Sequence, residues 1–228
     1  MQEKMINLKI NGIPVTVPEG TTILQAARQA HIEIPTLCFL KDVSRMGSCR
    51  MCVVEATGAR GLVAACVYPV AEGMEVRTNT DKCRQSRKMT LELILSKHKK
   101  KCLSCERNHS CELQRLSLGY SVDEDRFKGE DFVLPLDDST PYLIRDNDKC
   151  INCMRCVNAC KKQGIYAIGP IGRGFNVHIG SAFDRPLAES PCVGCGQCVV
   201  DCPVGALSEK SNINEVWAAL SDSSKKVV

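Results

Sequence analysis

The fold of the last third of the chain is decided by the segment CINCMRCVNAC, residues 150–160. Its cysteines are spaced C-x2-C-x2-C-x3-C, and the same spacing returns in CVGCGQCVVDCP, residues 192–203. A three-cysteine loop followed by a fourth cysteine, present twice, is typical of a chain that folds around two [4Fe–4S] clusters. The spacing therefore predicts a domain with two such clusters.

In a repeat of this type, the fourth cysteine of each run ligates the cluster of the other run. The predicted ligands of one cluster are Cys150, Cys153, Cys156 and Cys202. The predicted ligands of the other cluster are Cys192, Cys195, Cys198 and Cys160. Structural zinc is the alternative, but zinc sites are built from C-x2-C pairs and not from three-cysteine loops.

The composition is compatible with metal chemistry in a reducing compartment. The chain has 228 residues with 16 cysteines, and its net charge is only +4. This length can bury an ordinary core without disulfides, and so mild a charge does not favour nucleic acid as a partner. No leader pattern and no long apolar stretch is apparent, so we expect a cytoplasmic protein without a membrane span, whose patterned cysteines bind metal.

The first part of the chain carries a second cysteine set, Cys38, Cys49, Cys52 and Cys66, spaced C-x10-C-x2-C-x13-C. Only the central C-x2-C is shared with the loop of plant-type ferredoxins. Four thiolates on a small domain rich in strands favour a [2Fe–2S] cluster, and Gly47 would let the backbone approach it closely. A zinc ribbon is the alternative.

The middle of the chain offers a third set, His98, Cys102, Cys105 and Cys111, spaced H-x3-C-x2-C-x5-C. One imidazole and three thiolates can hold either zinc or a [4Fe–4S] cluster. A neutral imidazole in place of a thiolate should raise the reduction potential of such a cluster, as histidine ligands do in Rieske centres. Cys83 fits no set and is expected to be a packed small hydrophobe.

The hydrophobic pattern predicts an α+β protein. It gives a hairpin over 5–17, a helix from Thr21 or Thr22 to His31, and extended pieces at 51–56, 62–66 and 74–78. A longer helix is predicted to begin at Thr80 or Asp81, and its apolar positions include Met89 and Leu93. Two further helices are predicted over 110–118 and 213–220, and a strand begins at 225–228. The resulting division is 1–79, 80–119, a connecting segment 120–141, 142–209, and a terminal helix and linker 210–228.

These three sets, in this order and together with GSCRMCVVE at residues 47–55, resemble the N-terminal iron–sulfur region of multi-cluster [FeFe]-hydrogenases. The chain is similar as well to the diaphorase iron–sulfur subunit of NAD-reducing hydrogenases and to the start of the large iron–sulfur subunit of complex I. The resemblance implies a β-grasp [2Fe–2S] domain, a [4Fe–4S] segment with one histidine ligand, and a ferredoxin-type domain. It thus implies one [2Fe–2S] and three [4Fe–4S] clusters.

The tail, INEVWAAL at 213–220 and KKVV at 225–228, resembles the passage into the catalytic domain of [FeFe]-hydrogenases. That domain is not in these residues, which implies either a part of a longer hydrogenase subunit or a stand-alone relative. In electron-bifurcating members, the family adds a flavin- and NAD-binding subunit and a small [2Fe–2S] subunit. The resemblance implies these partners, with a soluble ferredoxin as a further one.

We therefore expect an electron-transfer component of an oxidoreductase complex. It would relay single electrons between a partner flavin and either a hydrogenase site or ferredoxin, and no residue is assigned a catalytic role. A P-loop and a nucleophile elbow are both absent from the sequence. The alternatives are a diaphorase or complex I type subunit without hydrogenase activity, and a zinc-binding scaffold protein.

Overall fold

The computed structural model describes residues 4–128 and 134–226. Its strands are β1 (Met5–Ile10), β2 (Ile13–Pro18), β3 (Val53–Ala56), β4 (Val63–Ala64), β5 (Glu75–Arg77), β6 (Leu143–Arg145), β7 (Gly169–Ile171), β8 (His178–Gly180) and β9 (Leu207–Glu209). Its helices are α1 (Ile23–Gln29), α2 (Asp81–Leu95), α3 (Glu112–Tyr120), α4 (Arg155–Lys162), α5 (Gln197–Val200) and α6 (Ile213–Ser221). This mixture of short sheets and helices confirms the predicted α+β class.

The first five strands form one sheet in the order β2-β1-β5-β3-β4. Strands β1 and β2 pair antiparallel across Asn11 and Gly12, whose φ angles are 50° and 83°. Positive φ at both turn residues gives the type I′ geometry that suits the twist of a hairpin. Strand β1 also pairs in parallel with β5, which joins the hairpin to the remaining strands.

Helix α1 covers one face of this sheet. Thr22 and Gln25 form a capping box at its N-terminus, which satisfies two backbone N–H groups there. The helix buries Ile23, Leu24, Ala26 and Ala27. They pack into a first core with the alternating inward residues of β1, which are Ile6, Leu8 and Ile10.

A second core joins the middle of the chain to the last third. It contains Leu91 and Leu95 of α2, Leu113 and Leu116 of α3, Leu143 of β6 and Leu207 of β9. Leu37 and Met51, which precede the cysteines of the first domain, are buried in the same core. All three cysteine-bearing parts therefore share one apolar interior.

The last third consists of two similar halves. Strands β6 and β9 pair with each other, and β7 pairs with β8. A cysteine loop precedes α4 in the first half and α5 in the second half. Helices α4 and α5 lie in contact with each other.

The tail departs from the sequence pattern. Helix α6 is formed as expected, but none of its residues is buried, and Trp217 is 65% exposed. Lys225 and Lys226 are not in a strand, and the rest of the strand expected at 225–228 lies outside the described residues. Among the described residues, no helix is both long and apolar enough to cross a membrane.

Candidate metal centres

Helix α4 lies between two cavities that are lined by cysteine side chains. Cys156 and Cys160 are four residues apart on this helix and therefore share one face. Cys156 lines the first cavity with Cys150, Cys153 and Cys202. Cys160 lines the second cavity with Cys192, Cys195 and Cys198. The eight cysteines thus surround two adjacent spaces in the crossed arrangement, while their role as ligands stays a prediction.

Both cysteine loops use left-handed backbone at equivalent positions. In the second loop these positions are Gly194 and Gly196, with φ of 66° and 73°. In the first loop Asn152 and Met154 occupy them, with φ of 51° and 64°. Left-handed residues turn the chain sharply, so three thiols of each loop can face one space. A Cβ at Gly194 would also lie 3.1 Å from the ring of Tyr142, which leaves little room for a larger residue.

Most thiols of these sets are buried or half-buried, and burial disfavours the charged form of a thiol. It raises the pKa of Cys150 to about 11, that of Cys153 to about 12 and that of Cys198 to about 11. Burial and the surrounding thiols raise the pKa of Cys156 well above its usual range. Grouped thiolates in such a place need a cationic partner, and bound iron supplies that charge. The donor set therefore fits iron–sulfur clusters.

The four thiols of the first domain interact directly with each other. Cys38 and Cys49 lie in the loop after α1, Cys52 precedes β3, and Cys66 follows β4. Hydrogen bonds from Cys49 and Cys66 hold the pKa of Cys38 well below its usual range and raise their own. A hydrogen bond with Cys66 lowers the pKa of Cys52 to about 7. The geometry thus gathers all four thiols of the predicted [2Fe–2S] set.

Gly47 has a local packing role in addition to the close approach to a cluster that stays a prediction. Its φ is 64°, and a Cβ on it would lie 3.1 Å from the side chain of Val67. The residue is therefore needed for a left-handed turn and for close packing against Val67. Val67 directly follows Cys66, so this contact brings the chain around Cys49 close to the chain around Cys66.

Three members of the third set, His98, Cys102 and Cys111, line a cavity of about 490 Å³. His98 is largely buried, and burial lowers its pKa, which favours the neutral imidazole. Within the described part of the chain, its buried Nδ1 has no hydrogen-bond partner. A neutral imidazole with an unpaired nitrogen is the form that binds metals. His98 therefore fits the ligand role that the spacing predicts.

Cys105 lies slightly apart from that cavity but close to the other thiols of the set. Burial and the charges of Cys105 and Cys102 raise the pKa of Cys111. The sulfur of Cys105 lies against Gly205, where any Cβ would collide with it. Gly205 comes three residues after Cys202, so the third set lies beside the two-cavity domain.

The cysteines of the last third surround spaces and do not converge on single points. No three His, Cys, Asp or Glu residues among 4–128 and 134–226 are placed to hold one metal ion. Four thiols that line a cavity suit a cluster of several iron and sulfur atoms, which fills the space between them. All 16 cysteines lie within the described residues, and each is a free thiol.

Cys83 takes no part in any set. It is fully buried on α2, and its sulfur contacts the carbonyl oxygen of Arg77 at 3.9 Å. This packing agrees with the small hydrophobe that the sequence suggests.

Two buried arginines near the cysteines were not predicted from the sequence. Arg155, the first residue of α4, binds both carboxylate oxygens of Glu112 at 2.7 and 2.9 Å. Arg145 lines both cavities of the last third. The only signal in the sequence was a basic residue inside or just before a cysteine run, and basic residues are usually exposed.

Three known domain families match the chain. The 2Fe-2S iron-sulfur cluster binding domain matches residues 3–81, and the NADH-ubiquinone oxidoreductase-G iron-sulfur binding region matches residues 87–126. The 4Fe-4S dicluster domain matches residues 144–208. Domains for both kinds of cluster, 2Fe–2S and 4Fe–4S, are therefore present.

Several curated proteins are similar over nearly the whole chain. The NADP-reducing hydrogenase subunit HndD of Solidesulfovibrio fructosivorans is 40% identical over 98% of the chain and 39% of its own length. An NADH-quinone oxidoreductase subunit of Rhizobium meliloti (strain 1021) is 38% identical over 89% of the chain and 24% of its own length. The NADH-ubiquinone oxidoreductase 75 kDa subunit of Reclinomonas americana is 36% identical over 90% of the chain and 30% of its own length. The chain thus spans about two fifths or less of these relatives.

A solved structure has a similar fold over most of this chain and most of its own length. It is the NAD+-reducing [NiFe]-hydrogenase in the H2-reduced state, with a TM-score of 0.84 and 30% identity. The match covers 90% of this chain and 88% of that chain.

The fold and the cysteine sets define an iron–sulfur electron-transfer module. The chain belongs to the iron–sulfur subunit family that NAD-linked hydrogenases and complex I have in common. The resemblance that the sequence motifs indicate is confirmed.

Proposed function

We propose that the chain holds one [2Fe–2S] and three [4Fe–4S] clusters. The first would be bound by Cys38, Cys49, Cys52 and Cys66, and the second by His98, Cys102, Cys105 and Cys111. The remaining two would be bound by the crossed sets around α4. The observation that carries the proposal is this crossing, since α4 contributes one thiol to each of two adjacent cavities.

The role of these clusters would be to relay single electrons. When bound, each cluster supplies a one-electron couple whose potential depends on its ligands, its burial and nearby hydrogen bonds. The protein holds the thiolates in place and shields most of them from water. Cys195 and Cys102 are the exposed members of their sets, so these two sites lie nearest to solvent and to partner proteins.

The partners in this proposal follow from the names of the relatives. An NADP-reducing hydrogenase and an NADH-quinone oxidoreductase both work with nicotinamide nucleotides. A flavin- and NAD(P)-binding subunit would therefore exchange electrons with this chain, beside a small [2Fe–2S] subunit. The other end of the relay would be a hydrogenase site or ferredoxin, and electron bifurcation stays a prediction from the resemblance. A reducing, cytoplasmic compartment belongs to the same proposal, because every proposed ligand must stay a free thiol.

A complex I type role without hydrogen chemistry is the second candidate. It is favoured by the similarity to the Rhizobium meliloti relative and to the 75 kDa protein of Reclinomonas americana. Both candidates need the same four clusters and differ only in the chains that surround this one.

The proposal is tested on the complex isolated anaerobically from its native source. We expect a brown protein with about 14 irons for each copy of this chain, beyond those of its partners, and no stoichiometric zinc. Identification of the co-purifying subunits distinguishes a hydrogenase from a complex I type assembly. A colourless preparation that contains zinc would overturn the proposal in favour of a zinc scaffold.

Two variants of the recombinant chain sharpen the iron count. Cys102→Ser removes an exposed proposed ligand and should lower the content by about four irons. Cys83→Ala removes a buried thiol outside all sets and should leave the content unchanged. Equal iron content in both variants would contradict the assignment of Cys102.

A further inference from the structure

Arg145 and its strand partner Leu207 line both cavities of the last third, and Arg145 is the charged one of the two. It ends β6 and pairs with Leu207 of β9, at the base of both halves. Its side chain is 6% exposed. It lines the cavity of Cys150 and the cavity of Cys192 alike. This residue therefore lies between the two proposed cluster sites.

The hydrogen bonds of this guanidinium group are incomplete. Its Nη2 donates to Oδ2 of Asp137 at 2.8 Å. Its Nε and Nη1 are both buried and have no partner among the described residues. A buried donor without an acceptor destabilises the fold, and native proteins rarely contain one. Since two N–H donors of the Arg145 side chain lack an acceptor, we infer that a bound group other than the protein accepts their hydrogen bonds.

The surroundings explain why the group keeps its orientation. Asp137 also accepts hydrogen bonds from the side chain of Ser139 and from the backbone N–H of Leu187. The backbones of Asp137 and Arg145 exchange two further hydrogen bonds of 3.0 and 2.8 Å. Asp137 therefore fixes one edge of the guanidinium group, while Nε and Nη1 stay without an acceptor among the described residues.

We propose that Arg145 tunes the reduction potentials of both [4Fe–4S] clusters of the last third. Its Nε and Nη1 would donate to cluster sulfides or to thiolate sulfurs, and its charge would stabilise the reduced clusters, which carry one more negative charge. Hydrogen bonds to sulfur and a nearby positive charge both raise a cluster potential. The inference rests on the proposed function, because it requires clusters in both cavities.

The test is a mediated redox titration of the anaerobic, cluster-loaded chain, followed by EPR. Arg145→Met should lower both potentials, each by at least a tenfold change in the one-electron equilibrium, or about 59 mV. The [2Fe–2S] cluster and the histidine-ligated cluster should keep their potentials. Arg185→Met is the control, because Arg185 is an exposed arginine of the same domain, and it should shift none of them.

A second variant keeps the test decisive if Arg145→Met fails to take up its clusters. Asp137→Asn retains the arginine without its counter-ion and should raise both potentials. Unchanged potentials in the loaded variants would overturn the role of Arg145 while leaving the clusters in place. An unsubstituted chain without the EPR signals of two interacting [4Fe–4S] clusters would instead refute the proposed function, so the two failures can be told apart.

Discussion

His98 is the one nitrogen donor among the proposed ligands, and its surroundings prepare it for this role. The ring is largely buried, and burial lowers its pKa, so it is neutral where a positive charge would repel iron. Its Nδ1 has no hydrogen-bond partner in the described part of the chain. A cluster bound there would have three thiolates and therefore one negative charge fewer than its neighbours.

The variant His98→Cys tests this charge argument. We expect it to keep the middle cluster but to lower its reduction potential, because a fourth thiolate disfavours the added electron. A redox titration followed by EPR measures the shift. His109→Cys places a thiol on an exposed histidine of the same segment and should change nothing. An unchanged potential in His98→Cys would remove this residue from the ligand set.

At the scale of single residues, the spacing of the cysteines predicts which thiols lie together, but it does not predict the other buried residues of the site. The gathered thiols follow from spacing, because three cysteines within seven residues can reach one space only through a tight loop. The buried Arg145 and Arg155 could not be predicted in this way. Their burial depends on Asp137 and Glu112, which lie 8 and 43 residues away and approach them only in the folded chain.

Helix α2 shows the same limit at the scale of an element. Its start at Thr80 was predictable from the capping side chain. Its buried face was not, since Met89 and Leu93 are 45% and 53% exposed while Arg87 and Glu92 are buried. Arg87 donates to the carbonyl oxygens of Val53 and Thr78 at 2.7 Å, which ties α2 to the first sheet. Hydrophobic periodicity does not predict the buried face of α2, because charged side chains with partners elsewhere in the fold occupy buried positions of this helix.

The ion pair of Arg155 and Glu112 joins α4 to α3. Arg155 is 5% exposed at its side chain and depends on Glu112 for its charge balance. Glu112→Gln should lower the opening free energy of both helices by about 2 kcal/mol, because a buried guanidinium group loses its ionic partner. Hydrogen exchange would show this as roughly 30-fold faster exchange of the amides of both helices.

The matched control is Glu33→Gln. Glu33 forms an exposed ion pair with Arg115 at 3.6 Å, and such pairs contribute less than about 1 kcal/mol. Its removal should leave exchange in α3 almost unchanged. If both variants behave alike, the pair of Glu112 and Arg155 does not hold the two helices together.

For the whole molecule, the decisive feature is the second core. Sequence motifs suggest separate cluster domains divided near residues 79 and 141, and this division stays a prediction. The structure packs Leu91 of the middle part, Leu143 and Leu207 of the last part, and Leu37 of the first part into one interior. Contacts between distant parts of a chain leave no periodic signal, so the pattern could not reveal this core.

A shared interior should make the middle and the last parts open together. Leu91→Ala removes a fully buried side chain from this core and should cost about 3 kcal/mol. Amide exchange should then quicken in α3 and also in β6 and β9, although these strands belong to another cluster domain. Ile10→Ala removes an equally buried side chain from the first core and should quicken exchange mainly in the first sheet. Exchange in β6 and β9 that does not respond to Leu91→Ala would mean that the domains open independently, and that the second core does not couple the proposed cluster sites.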